Sequence, residues 1–208
     1  MRLILASTSP RRREIMALLD LPFDVIAPDF HELVSDHRPL PDEVLDFAKG
    51  KAATVARKHP ESIVVGSDTM ILLDGKKIGK PDGIDNAREI LRALSGKTHR
   101  IFTSVAIIDG TGGPGLATVQ EVSVRMRGYS EADVERYLAC GESLDKAGAY
   151  SIQGEGRALI DSIRGDYLAA VGLPLKPIVE YLKIRRVETH LDLDRLYAEK
   201  AFLNWSTF

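Results

Sequence analysis

The sequence contains a single cysteine, Cys140, and this scarcity excludes two classes of protein. One thiol cannot form an intramolecular disulfide bond, which rules out a small domain held together by disulfides. One thiol also cannot build a cysteine-rich zinc site, and the spacing between His31 and His37 fits no common zinc pattern. The chain therefore has to fold around a hydrophobic core of its own.

Long apolar runs and an excess of positive charge are missing as well. No stretch approaches the roughly 20 apolar residues that a membrane-spanning helix needs. The arginines at 11–13 interrupt the first apolar stretch too early for a signal peptide. A net charge of -2 does not suit a general binder of nucleic acid, which needs a basic surface. We therefore expect a cytoplasmic protein that binds neither membranes nor nucleic acids.

The sequence does contain enough apolar residues for one sizeable core, with 44% hydrophobic and 28% charged residues in a chain of 208. Helical and strand patterns alternate along the chain, which predicts an α/β (mixed α+β) fold with a central mixed sheet flanked by helices. One domain is predicted over residues 1–184. The charged segment 185–208 ends in apolar residues, which predicts an amphipathic helical tail that covers a surface or a partner subunit.

Periodicity and turn residues set the predicted boundaries of the elements. The predicted strands are 3–6, 23–27, 62–67, 99–108, 117–126 and 158–163, and residues 70–73 are expected to continue extended to a hairpin turn at 74–75. Asp42 is predicted to open the second helix and Asp85 to cap the third, while Ser130 and Asp133 resemble a capping box at the fourth. A last packed helix is predicted after 172–174.

The first predicted strand leads into a turn that suits an anion. Residues 7–9 are Ser-Thr-Ser, any of which can cap a helix, and Pro10 suits the first helical position. The arginines at 11–13 oppose the helix dipole by a few tenths of a kcal/mol, so a negative partner is expected nearby. That partner is either an acidic side chain such as Glu14 or Asp20, or a bound phosphate. The hydroxyl-rich turn directly after a strand favours a phosphate site.

Two carboxylates are candidate acids or metal ligands. Asp68 follows the apolar run 62–67 and is predicted to lie at the carboxyl end of that strand, where ligand crevices form in open α/β sheets. There it could hold a divalent cation or take a proton from water, and an Asx turn is the alternative. Glu32 lies in a polar loop beside His31 and could supply a second carboxylate, with an exposed loop acid as the alternative.

Three further polar side chains fit an anionic ligand. Lys51 and Lys80 could neutralise phosphate oxygens in a displacement at phosphorus, although each would also make an ordinary surface lysine. Gln153 lies beside Gly154, and its amide offers a donor and an acceptor to a planar base, with loop filling as the alternative. No nucleophile triad, P-loop or Rossmann glycine pattern stands out. The residues alone therefore predict a site for an anionic ligand, lined by arginines and carboxylates.

Six runs of sequence together resemble the Maf family of nucleoside triphosphate pyrophosphatases, also called septum formation inhibitor proteins. The runs are 5–12 (LASTSPRR), 66–69 (GSDT), 79–81 (GKP), 94–99 (LSGKTH), 145–154 (DKAGAYSIQG) and 171–175 (VGLPL). They occur in order, and the resemblance extends from Leu3 to Leu182. It implies a Maf/ITPase-like fold of two lobes around a substrate cleft, often as a homodimer.

The resemblance also implies hydrolysis of a nucleoside triphosphate between its α and β phosphates, assisted by a divalent cation such as Mg²⁺, Mn²⁺ or Co²⁺. Asp68 matches the position of the family's catalytic acid/base, and Asp68 with Glu32 would hold the metal. The positions that line the family's phosphate and metal site match Ser7, Arg12, Glu32, Lys51 and Lys80.

Three further positions select the base in this family. Arg11, Thr69 and Gln153 look like the set in members that act on dTTP and UTP. We therefore expect a dTTP/UTP pyrophosphatase that also accepts modified pyrimidine nucleotides. The alternatives are a 7-methyl-GTP pyrophosphatase and a non-enzymatic nucleotide-binding regulator of cell division.

Overall fold

The computed structural model describes residues 2–208. The strands are β1 (Arg2–Ala6), β2 (Asp24–Val25), β3 (Ser62–Leu73), β4 (Lys76–Ile78), β5 (Thr98–Asp109), β6 (Leu116–Met126) and β7 (Ile160–Arg164). The helices are α1 (Pro10–Ala17), α2 (Leu40–Ala56), α3 (Ile84–Leu94), α4 (Glu131–Ala139), α5 (Tyr167–Val171), α6 (Leu175–Ile184) and α7 (Leu193–Glu199). Among these described residues, none of the helices combines the length and apolar character needed to cross a bilayer.

Parallel pairing in the sheet is confined to β1 and its two neighbours. Within residues 2–208, seven strands pair in the order β2-β1-β3-β5-β6-β7, and β4 forms a hairpin with β3. β1 runs parallel to β2 and to the first part of β3. From β3 through β5 and β6 to β7, each strand is antiparallel to the next. The predicted α/β fold with a central mixed sheet is therefore confirmed.

Side-chain alternation along β1 explains why helices cover both faces of the sheet. Leu3 and Leu5 belong to the larger hydrophobic core, together with residues of α3, α5 and α6. Ile4 and Ala6 belong to a smaller cluster that is completed by α2. Successive residues of a strand point to opposite faces, so an unbroken apolar run is buried on both. Both faces of β1 are therefore covered by helices.

Two predicted helix starts are wrong, and each error has a local cause. α2 begins at Leu40 rather than Asp42, because Pro41 is tolerated in the first helical turn, where its missing N–H costs nothing. The N-cap of α3 is Gly83, and Asp85 lies inside the first turn, where it makes no cap. A carboxylate in a first turn still stabilises the helix through the dipole, so sequence pattern separates the two positions poorly.

The short elements differ most from the prediction. β2 contains only two residues, both exposed, and β7 begins at Ile160 because a 3-10 turn precedes it. α5 has no predicted counterpart, since all five of its residues are buried and leave no amphipathic pattern. The capping box of Ser130 and Asp133 at α4 is confirmed.

Residues after α6 fold back onto the domain. Leu196 and Trp205 are buried in the larger core, and the ring of Trp205 stacks on Tyr167 with centroids 5.1 Å apart. The only α-helix described beyond α6 is α7, which spans seven residues. The segment covers a surface of its own chain.

Candidate active site

A cavity of about 730 Å³ opens where β1 ends. The β1–α1 turn, the loop before α2, α2 itself, the middle of β3 and the segment 145–154 form its walls. The predicted site residues that line it are Ser7, Arg11, Arg12, Glu32, Lys51, Asp68, Thr69, Lys80 and Gln153. The structure thus brings every predicted site residue to one cavity, which is large enough for a small charged ligand.

Asp68 lies in the middle of β3 rather than at the carboxyl end of a strand, so this part of the prediction is wrong. β3 continues to Leu73 because β5 pairs with it along that length. On its other side, β1 stops at Ala6, opposite Gly66. The crevice is therefore made by the end of β1, and Asp68 lies just beyond that end.

Gly66 explains how Lys51 reaches Asp68. A Cβ at Gly66 would lie 2.3 Å from the carbonyl oxygen of Ala48, so only glycine lets α2 pack this closely on β3. The buried Lys51 follows one turn later, and its Nζ donates to Asp68 Oδ1 at 2.5 Å. The same ammonium also contacts the carboxylate of Glu32. One lysine therefore bridges the two candidate carboxylates.

Burial and neighbouring charges shift the pKa values of these two carboxylates in opposite directions. Burial raises the pKa of Asp68, against the effect of Lys51 and Arg12, and the charge on Glu32 adds to the rise. Burial also acts upward on the pKa of Glu32, but Lys51, Lys80 and Arg12 outweigh it and hold that pKa below its ordinary value. Burial therefore favours the protonated form of Asp68, as suits a residue that accepts a proton, whereas the surrounding cations favour the charged form of Glu32.

The same two carboxylates fit a hard divalent cation. Asp68 Oδ2 is buried and has no hydrogen-bond partner among the described residues, and Glu32 is partly open to solvent. Within residues 2–208, no group of three or more His, Cys, Asp or Glu side chains is arranged to hold a metal. Mg²⁺ commonly takes one or two carboxylates and completes its shell with phosphates and waters, so the pair is sufficient for it.

Arg12 turns inward from α1. Ser9, one of the three candidate caps at 7–9, caps the helix by accepting from the backbone amide of Arg12. The guanidinium donates through Nε to the carbonyl of Gly172 at 2.9 Å and through Nη2 to Thr69 Oγ1 at 3.3 Å. Burial lowers the pKa of Arg12, with Asp68 acting in the opposite sense, but a guanidinium keeps its charge in proteins. A fixed cation therefore faces the cavity, as a phosphate site requires.

The acidic partner of Arg11 is Asp145, at 3.3 Å, rather than Glu14 or Asp20. Asp145 has no assigned role in the sequence-based prediction, because it lies 134 residues away and no local pattern links the two. The pair connects the first turn of α1 with the start of segment 145–154. The ion pair thereby links two walls of the cavity, the β1–α1 turn and segment 145–154.

Gln153 lies on the wall formed by segment 145–154. It is buried, and its Nε2 donates to Glu14 Oε2 at 3.3 Å, which fixes the orientation of the amide. The space beside Gly154 is occupied by Glu142, whose carboxylate would lie 2.2 Å from a Cβ at that glycine. Gly154 is therefore needed for packing inside the protein, and Gln153 is the residue of the two that lines the cavity.

Glu43 anchors the loop that carries Glu32. Its side chain is completely buried, and its carboxylate accepts from the amide of Ser35 and from Lys77 Nζ, both at 2.5 Å. Lys77 also donates to the carbonyl of Ser35. Sequence reasoning misses this anchor, because an acid in a first helical turn already has an ordinary explanation in the helix dipole.

Phe30 lines the cavity and is not among the predicted site residues. Its ring lies 2.1 Å from where a Cβ of Gly50 would be, so the glycine makes room for it on α2. Gly50 is the available signal, since a glycine inside a helix costs about 1 kcal/mol relative to alanine and needs a packing reason.

Comparison with known proteins identifies the family of the chain. The model of the Maf family, described as Maf-like protein, matches residues 2–185. The dTTP/UTP pyrophosphatase of Moorella thermoacetica is 42% identical over 187 residues, which cover 90% of this chain and 96% of the relative. That of Bacillus mycoides is 40% identical over 182 residues, 88% of this chain and 94% of the relative. A solved Ham1 protein from Coxiella burnetii covers 61% of this chain and 73% of its own, with a TM-score of 0.40 and 17% identity, too distant to support an inference. The matched range and the two relatives establish that the chain belongs to the Maf family.

Proposed function

We propose that the protein is a nucleoside triphosphate pyrophosphatase that hydrolyses dTTP and UTP, and modified pyrimidine nucleotides, to the monophosphate and pyrophosphate. The observation that carries the proposal is the carboxylate of Asp68, whose pKa is raised by burial, in a cavity that is also lined by cationic side chains. Arg12, Lys51 and Lys80 are the cations that the proposal assigns to the phosphates. The two relatives named above are dTTP/UTP pyrophosphatases, which supports the choice of base. A cytoplasmic location and a homodimer remain part of the proposal and rest on the sequence and its resemblance.

The residues of the cavity have complementary roles in the proposed reaction. Asp68 accepts the proton of the water that attacks phosphorus, and Arg12 and Lys80 neutralise the charge that builds on the leaving pyrophosphate. Lys51 blocks one oxygen of Asp68, so movement of its ammonium to the phosphates would free that oxygen. Asp68 and Glu32 would hold a divalent cation, Mg²⁺, Mn²⁺ or Co²⁺, which supplies further neutralisation of phosphate charge when bound.

Gln153, on the wall formed by segment 145–154, recognises the base. Its amide offers both a donor and an acceptor, the complement of the imide edge of uracil or thymine. Arg11 and Thr69 complete this selecting set, and both line the same cavity.

Product analysis with UTP and Mg²⁺ tests the function directly. We expect UMP and pyrophosphate in equal amounts, since the proposed attack is at the α phosphorus. Release of inorganic phosphate with UDP would contradict the cleavage position. Tight binding without turnover would support a regulator, and preference for 7-methyl-GTP in competition with UTP would overturn the pyrimidine assignment.

Replacement of Glu32 by glutamine is expected to move the acid limb of the pH profile of kcat/KM to lower pH. Activity rises with pH as Asp68 loses its proton, and the charge on Glu32 raises the pKa of Asp68. Removing that charge lowers the pKa, so Asp68 is deprotonated at more acidic pH. The maximum rate falls because a proposed ligand of the cation is lost. Glu61→Gln, at an exposed position before β3, should leave the acid limb of the pH profile unchanged. A limb that stays fixed or moves to higher pH in Glu32→Gln would contradict the assignment.

A further inference from the structure

The C-terminal segment, residues 186–208, lies beyond the range matched by the family model, yet it packs against the elements that build the cavity. Trp205 stacks on Tyr167 of α5 with an interplanar angle of 9°, and Tyr197 meets Trp205 edge-on at 4.8 Å. The hydroxyl of Tyr167 donates to the carbonyl of Leu203 at 2.5 Å. These contacts hold residues 203–205 in a fixed place.

Asn204, within this clamped stretch, reaches the segment that carries Gln153. Its Nδ2 donates to the carbonyl of Gln153 at 2.7 Å and to that of Ile152 at 3.3 Å. The backbone of Asn204 is left-handed, with a φ of 61°, a conformation that asparagine adopts more readily than most residues. Backbone conformation and side-chain contact are therefore both suited to asparagine at this position.

A second contact ties the C-terminal segment to the turn that follows Gln153. Arg157 donates to the carbonyl of Thr207 at 2.6 Å and to its hydroxyl at 2.5 Å. The same guanidinium lies 4.0 Å from the ring centroid of Phe208. The C-terminal segment thus forms hydrogen bonds with the cavity wall at Gln153 and with Arg157, four residues later.

We propose that the C-terminal segment is a specificity element of the nucleotide site, in which Asn204 is a positioning residue for Gln153. This proposal rests on the proposed function, where the amide of Gln153 meets the edge of a pyrimidine base. Glu14 fixes the orientation of that amide, and Asn204 fixes the backbone from which it extends. Cytosine carries an amino donor where thymine and uracil carry a carbonyl acceptor, so a loosened Gln153 would turn its amide and accept cytosine.

Two substitutions of Asn204 test this role. Asn204→Asp keeps the size and tolerates the left-handed backbone, but it sets an acceptor against two carbonyl oxygens. Asn204→Gly keeps the backbone and removes the side chain. In each variant we expect the ratio of kcat/KM for UTP over CTP to fall by about fivefold to tenfold, the equivalent of one hydrogen bond lost. KM for UTP should rise while kcat stays near the wild-type value, because Asp68 and Lys51 are untouched.

Arg195→Ala is the matched control in the same segment, since Arg195 is exposed and pairs only with Glu199 in α7 among the described residues. It should keep the wild-type ratio, and thermal midpoints are measured for all variants so that assays run on folded protein. A wild-type protein that releases no pyrophosphate from UTP would overturn the proposed function. Active wild type with an unchanged ratio in either folded Asn204 variant would overturn this inference alone. If Asn204→Asp fails to fold, Asn204→Gly decides the outcome.

Discussion

Replacing Asp68 with asparagine is expected to lower the rate of pyrophosphate release by about 1,000-fold, within the range for loss of a positioned general base. Asparagine has the same shape and can still accept from Lys51 through its carbonyl oxygen, so the side chain keeps its place. It cannot take a proton from water, and it binds a divalent cation poorly. The loss should therefore appear in kcat with UTP, while the circular dichroism spectrum stays that of the wild type.

Asp74→Asn is the matched control for this experiment. Asp74 follows β3 directly, is exposed, and pairs with Lys97 at 2.8 Å on the surface. Its φ of 49° is left-handed, which asparagine tolerates. The control should therefore fold and retain wild-type activity. Wild-type turnover by Asp68→Asn would remove Asp68 from the mechanism, whereas an equal loss in both variants would point to a general effect on the fold.

The β1–α1 unit shows what the sequence could predict. The apolar strand, a hydroxyl cap among residues 7–9 and the first-turn Pro10 are signals that lie within a few residues of one another, and the structure contains all three, with Ser9 as the cap. The capping box at α4 is local in the same way. Elements whose chemistry is complete within one turn can thus be derived without knowing the rest of the chain.

The position of Asp68 shows what the sequence could not predict. Residues 62–67 form an apolar run that ends before Asp68, yet β3 extends to Leu73 because a neighbouring strand continues beside it. Strand length is decided by pairing partners, and those partners lie far away in the sequence. The same holds for Arg12, whose acceptor at Gly172 is 160 residues distant.

That the predicted site residues line one cavity could be expected only from the family resemblance. Considered singly, Lys51, Lys80 and Gln153 each had an ordinary surface or loop explanation. Spacing alone did not decide between that explanation and a role in ligand binding. Asn204 had no signal at all, because its contact with Gln153 joins residues 51 positions apart and lies outside the matched motifs.

Replacing Lys51 with methionine is expected to destabilise the fold and to lower kcat together. The substitution leaves the buried carboxylate of Asp68 without the ammonium that now bridges it to Glu32. Breaking a buried ion pair costs about 3–5 kcal/mol, and we expect a value near the lower end because Asp68 can escape by taking a proton. The free energy of unfolding is measured by denaturant titration of both proteins.

The pH dependence of the lost stability distinguishes the effect of charge on Asp68 from the effect of packing. Lys51 lowers the pKa of Asp68, so in the variant this pKa rises further above its unfolded value. A group with a raised folded pKa contributes stability below that pKa and loses it as the pH rises. The gap between wild type and Lys51→Met should therefore narrow as the pH falls from neutrality towards the acid range. A gap that is constant with pH would show that packing, and not the charge on Asp68, causes the loss.

Lys49→Met supplies the control, because it makes the same substitution on the same helix, two residues before Lys51. Lys49 is half exposed and lies 3.9 Å from Asp46, so its loss should change stability by no more than about 0.5 kcal/mol. Mg²⁺ provides the complementary arm: a divalent cation held by Asp68 and Glu32 would replace the missing ammonium charge. It should therefore stabilise Lys51→Met more than it stabilises Lys49→Met. Equal stabilisation of the two variants would argue against a cation site at this pair of carboxylates.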